Sequence, residues 1–142
     1  MKTNNNRIRV LLAQFSLETH SRGIFTVAGM LKDAGMEVIY IGNSSPEEII
    51  EAAVQENVDV VGVSTLTGGE LVLGAKLMAL AGQKDIKDEK LFIMGGIFPQ
   101  RDEPELIKLG FYALFGPGAT REEITGSIRE AVAARAKVAG KK

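Results

Sequence analysis

The stretch "DVVGVSTLTGGE", residues 59–70, runs as an almost unbroken series of small apolar residues up to Ser64 and then breaks into hydroxyls and glycines. A strand with one wet face alternates apolar and polar residues. This one is apolar on both faces, as suits a strand of a parallel sheet covered on each side. Four more short aliphatic runs share its character: "RIRVLLA" (7–13), "EVIYI" (37–41), "KLFIMG" (90–95) and "YALF" (112–115). Helical patterns separate them. Ile24, Val27, Ala28 and Leu31 form one apolar face, Ile49, Ile50, Ala53 and Val54 a second, and Leu73, Leu77, Met78 and Leu80 belong to a third. Ser45-Pro46-Glu47-Glu48 and Thr120-Arg121-Glu122-Glu123 each fit a capping box. Gly35 and Gly110 fit helix stops. Strand and helix therefore alternate five times, which predicts an α/β domain with a doubly wound five-stranded parallel sheet, flavodoxin-like (Rossmann-like) in strand order, with right-handed crossovers.

The 142 residues suit one domain, placed at 7–135, with residues 1–6 read as a disordered N-terminal tail and 136–142 as a basic C-terminal tail. Apolar residues make up 45% and charged residues 25%, with a formal net charge of −1. No basic stripe marks a nucleic-acid partner. No signal-like or membrane-spanning apolar run occurs, so the expectation is a soluble cytoplasmic protein with no membrane partner. With no cysteine, disulfides, thiolate metal sites and cysteine nucleophiles are excluded together.

In a sheet of this kind, ligands bind beyond the carboxyl ends of the strands. The loops there read "QFSLETHSRG", "GNSS", "STLTGGE", "GGIFPQ" and "GPGAT". His20 is the chain's single histidine. Alone, it reads either as a hydrogen-bonded surface residue or as a metal ligand whose second nitrogen donates to a carboxylate. Glu18 is either that carboxylate or a solvated loop acid. One His and one Glu leave a zinc or iron sphere short, so any metal would bring its other ligands with a cofactor. Gly95-Gly96 serves a tight turn or makes room for a ligand, and Ser64 and Leu66 serve the strand end and core or a ligand. "GELVLGAK" from Gly69 lacks the Gly-Lys-Ser/Thr ending of a phosphate loop. No nucleophile elbow accompanies the lone histidine, so no catalytic residue is assigned in this chain. The glutamates at 47, 48, 122 and 123 are explained by helix starts.

Taken together, "ETHSRG" (18–23), "STL" (64–66), "GGIFP" (95–99) and "FGPGA" (115–119) resemble the cobalamin-binding domain of adenosylcobalamin-dependent acyl-CoA mutases, the methylmalonyl-CoA mutase family. "LKDAGMEVIYIG" and "SPEEIIEAAVQENVDVVGVS" are also similar to that family's segments, and the likeness runs from about Arg7 to Arg129. It implies adenosylcobalamin as cofactor, with its benzimidazole base released from cobalt and His20 as the lower axial ligand (base-off, His-on). Around that ligand it implies a cofactor-binding loop of Glu18, Thr19, His20, Ser21, Arg22 and Gly23. The nucleotide tail would lie between the strand-3 loop, with Ser64, Leu66, Thr67 and Gly68, and the strand-4 loop, with Gly95, Gly96, Ile97 and Phe98. Ser64 would hydrogen-bond the base and Leu66 would pack on it. Gly116, Gly118 and Thr120 would line the far end.

Two positions depart from the family's pattern. Its aspartate is Glu18 here, and a lysine six residues before the histidine is Gln14. Changes just outside a metal's ligands typically cost about 10- to 100-fold in affinity or activity. A substrate barrel takes roughly 250 residues, so the resemblance implies a small subunit, inactive alone. It would be one part of an intramolecular-transferase isomerase, docking on a large subunit that binds the acyl-CoA. A corrinoid methyl carrier is the first alternative, disfavoured because six residues precede the first strand where such carriers have a helical cap. The second is a non-catalytic module that has lost cobalamin. A phosphoacceptor receiver is disfavoured because no acidic pair follows strand 1 and strand 3 ends in Ser64.

Overall fold

A computed structural model of the chain describes residues 7–15, 22–65 and 69–140, with side chains for all of these except 22 and 136–140. Five strands, β1 (Arg9–Phe15), β2 (Glu37–Ser44), β3 (Val60–Thr65), β4 (Leu91–Gly96) and β5 (Ala113–Phe115), alternate with α1 (Arg22–Asp33), α2 (Pro46–Gln55), α3 (Glu70–Gln83), α4 (Glu103–Leu109) and α5 (Arg121–Gly140). A 3-10 turn, Gln100–Asp102, leads into α4. The sheet is wholly parallel, in the order β2-β1-β3-β4-β5. That is the doubly wound, flavodoxin-like order, and chain direction across the sheet reverses between β1 and β3.

Alternation along the strands divides the interior in two. Leu11, Ala13, Phe15, Val61, Val63, Phe92 and Met94 face the layer of α2, α3 and α4. Val10, Leu12, Val60, Leu91 and Ile93 face α1 and α5, meeting Ile24, Leu31, Ile124 and Ile128. Phe15, Phe92 and Phe111 are fully buried, each worth about 1.5–3 kcal/mol of transfer free energy. Val54 departs from its expected face and is exposed on α2.

The ends of the helices follow from local chemistry. At α2 the Ser45 hydroxyl accepts from the Glu48 amide at 3.1 Å, and the Glu48 carboxylate accepts from the Ser45 amide at 2.8 Å. Thr120 and Glu123 repeat the exchange at α5, at 3.1 and 2.7 Å. Gly110 closes α4 with φ 123°, a left-handed turn open to glycine at little cost.

Candidate functional site, an apolar slot at the carboxyl edge of the sheet

Four strands, β1, β3, β4 and β5, end side by side at this edge. Register pairs Gln14 with Ser64 and Ser64 with Gly95, and Gly95 with Phe115 on β5. One level deeper on the same face stand Leu12, Gly62 and Ile93. Two residues of strand separate the levels, about 7 Å. Between this face and helices α1 and α5 opens a cavity of about 370 Å³, within the usual size of a small-molecule site. Its walls are mainly aliphatic: Leu12, Ile24, Val27, Met30, Ile93 and Ile124, with Phe115, Pro117 and Ala119 toward β5.

The residues singled out from the sequence separate here. Gly23, Ser64, Gly95, Gly96, Ile97 and Gly116 all line the cavity. Phe98 packs instead against the core under α2, α3 and α4. Gly118 and Thr120 are not among the lining residues, and Thr120 is engaged in its capping box. Arg22 begins α1, its side chain outside the described residues. Glu18, Thr19, His20, Ser21, Leu66, Thr67 and Gly68 also lie outside the described residues.

The two glycines ending β4 do different work. Gly96 has φ 146°, and a Cβ there would stand 1.9 Å from the Thr65 carbonyl oxygen, so the backbone itself requires glycine. A Cβ on Gly95 would meet nothing nearer than the Phe115 carbonyl oxygen at 3.6 Å, an ordinary contact. The chain folds around Gly95 without need of glycine. What its missing side chain preserves is the cavity it lines.

Gly62 was not singled out from the sequence, although a glycine inside an apolar strand signals a close approach. A Cβ on it would come 2.8 Å from Leu12 Cδ2 and 3.4 Å from Ile93 Cγ1. Its absence lets those two side chains close over β3 as a floor. The aliphatic wall from α1 and α5 also went unassigned, because a residue lining an internal slot and one packing a core have the same periodicity.

Polar groups near the slot are few. The Ser64 hydroxyl is half-buried and hydrogen-bonds to none of the described residues. Beside it on β1, Gln14 is buried, and the Tyr40 hydroxyl donates to its Oε1 at 2.5 Å. The Tyr40 ring meets Phe25 edge-on at 5.0 Å between centroids. Across the sheet, Thr65 Oγ1 and Glu70 Oε1 are buried without a hydrogen-bond partner among the described residues. Burial pushes the Glu70 carboxyl above the usual carboxylate range, and Asp102 beside it adds to the shift. Among the described residues no cluster of three or more metal-ligating side chains occurs. Among them too, no helix is long and apolar enough to cross a membrane.

Residues 8–125 match the model of the B12 binding domain. The chain belongs to the B12-binding domain family. This B12-binding domain is 43% identical over 129 residues to the 2-hydroxyisobutanoyl-CoA mutase small subunit of Aquincola tertiaricarbonis, covering 90% of this chain and 94% of that one. It is 38% identical over 120 residues to the pivalyl-CoA mutase small subunit of Xanthobacter autotrophicus, covering 82% and 78%. Among solved structures, a cobalamin-binding protein from Desulfitobacterium hafniense superposes with TM-score 0.69 at 17% identity, over 77% of this chain and 53% of that one. The signal receiver domain of an HD domain-containing protein from Pseudomonas fluorescens gives 0.70 at 14% identity, over 100% and 98%. Backbone likeness of this degree establishes the fold alone, since receivers and cobalamin binders share it.

Proposed function

We propose that this B12-binding domain is the small subunit of an adenosylcobalamin-dependent acyl-CoA mutase, holding the cofactor base-off and His-on for a separate large subunit that binds the acyl-CoA. The observation that carries the reading is the slot, an apolar crevice lined by Gly95 at the carboxyl edge, in a chain that aligns with 94% of a mutase small subunit. The residues present fit the cofactor's nucleotide tail. Aliphatic walls suit a buried heteroaromatic ring, and the Ser64 hydroxyl, which bonds none of the described residues, suits its ring nitrogen.

In this reading His20 would be the residue that ligates cobalt, and Glu18 would accept the imidazole's other N–H and fix its tautomer. Ser64 donates to the buried base, which would otherwise lose about 1–3 kcal/mol as an unpartnered acceptor. Gly95, Gly96 and Gly116 let the backbone approach the tail, and the aliphatic wall excludes water from it. When bound, adenosylcobalamin supplies a homolysable cobalt–carbon bond, the source of the radical for carbon-skeleton isomerisation. The protein's part is ligation, orientation and exclusion of water. Alone, the small subunit turns over no acyl-CoA.

A visible-absorption titration with adenosylcobalamin tests the reading, with the wild type beside His20→Ala and Glu18→Asp. A base-off, His-on spectrum that is lost in His20→Ala is expected. No spectral change with the folded chain, with or without a candidate large subunit, overturns it.

A further inference from the structure

The floor of the slot has a chemistry of its own. Leu12, Gly62 and Ile93 form it from the sheet, and Val27, Met30 and Ile124 close it from the helices. β1, β3 and β4 each have a hydrogen-bonded neighbour on both sides, so their backbone donors and acceptors at this level are spent in the ladder. The polar side chains of the described lining are Ser64, one level above the floor, and Thr26, which is exposed on α1. A ring that reaches the floor meets hydrocarbon alone among the described residues.

We infer that this floor makes the slot selective for a tail ending in a methylated benzimidazole and against one ending in a purine. The inference rests on the function proposed above. The tail's base is joined to its ribose through the five-membered ring, so a base entering from the carboxyl edge leads with its six-membered ring. In dimethylbenzimidazole that ring is all carbon and carries two methyl groups, which Leu12, Ile93 and Met30 can cover. Its polar atoms stay in the five-membered ring, at the level of Ser64. In adenine the leading ring holds two nitrogens and an exocyclic amine, and at this floor they find no partner among the described residues. Sites that leave polar groups unpaired discriminate far more sharply than sites that differ by a methyl group. A preference of about ten- to a hundredfold in Kd follows.

The test titrates the full chain with hydroxocobalamin, with the corresponding adenine-tailed cobamide, and with tailless cobinamide, followed by visible absorption. Expected are tightest binding of hydroxocobalamin and at least about tenfold weaker binding of the adenine-tailed form. Ile93→Thr and Met30→Gln each place a polar group at the floor and should move the ratio of the two Kd values toward one. Met30 is only partly buried, so its variant remains informative if Ile93→Thr fails to fold. Equal Kd values in the wild type overturn the inference, as does an unchanged ratio in the folded variants. Cobinamide binding as tightly as hydroxocobalamin shows the slot unused and also overturns it. Binding of none of the three overturns the function on which the inference rests.

Discussion

The carbonyl oxygen of Thr65 stands 1.9 Å from the point where a Cβ on Gly96 would be, whereas the Cβ position of the neighbouring Gly95 is clear to 3.6 Å. One glycine of the pair holds β4 against β3, and the other holds a space.

Gly96→Ala should therefore be a folding mutation. A left-handed backbone and a clash with main-chain atoms together are expected to cost about 2–4 kcal/mol, read as a lowered urea midpoint. Gly95→Ala should leave that midpoint within about 1 kcal/mol of the wild type. Its effect belongs to the ligand, with cobalamin affinity about tenfold lower by absorption titration.

Ser64→Ala separates binding from stability in another way. The hydroxyl bonds none of the described residues, so its removal should barely move the unfolding transition. Cobalamin binding should weaken by about tenfold, the worth of one hydrogen bond to a buried ring nitrogen. Cobinamide binding, which has no base to engage, should not change.

The Glu70 carboxyl gives stability a pH dependence. Its ordinary value is 4.5, and burial first, then Asp102, raises it in the folded chain. A raised acid binds more protons folded than unfolded, so its contribution is fully present below the unfolded value and is lost as pH rises through the folded one. Glu70→Gln removes that loss. Urea midpoints should show the variant gaining on the wild type between pH 4 and pH 7, with the larger advantage at pH 7.

Tyr40→Phe keeps the edge-on contact with Phe25 but removes the donor to Gln14 Oε1. Because Gln14 is buried, the loss should cost about 1–2 kcal/mol in thermal or urea unfolding.

Much of the fold was legible because the same residues state it at several levels. "DVVGVS" reads as a strand buried on both faces, and β3 is the middle strand of the sheet, wet on neither face. The Ser45 and Thr120 capping boxes and the Gly110 stop were legible because each depends on bonds within four residues. The slot was legible from one side. Its mouth, at Ser64, Gly95, Gly96 and Gly116, is spelled in residues that a packed core has little use for. Its floor and helical wall are spelled in Leu, Ile, Val and Met, and periodicity does not tell a wall around a space from a wall against another wall. Phe98 shows the converse limit. It follows the glycine pair directly, yet the turn after Gly96 carries it to the opposite layer, a consequence of a φ that the letters do not state.

The walls of the slot are also members of the core beneath α1 and α5: Leu12, Ile24, Ile93 and Ile124 belong to the same buried cluster as Val10, Leu31 and Ile128. A ligand seated in the slot would extend that layer as a side chain does. Occupancy at a hundredfold excess over Kd would add about 2.7 kcal/mol to the folded state, a large part of a small domain's margin. Binding in the slot and folding of the layer around it would then be one linked equilibrium.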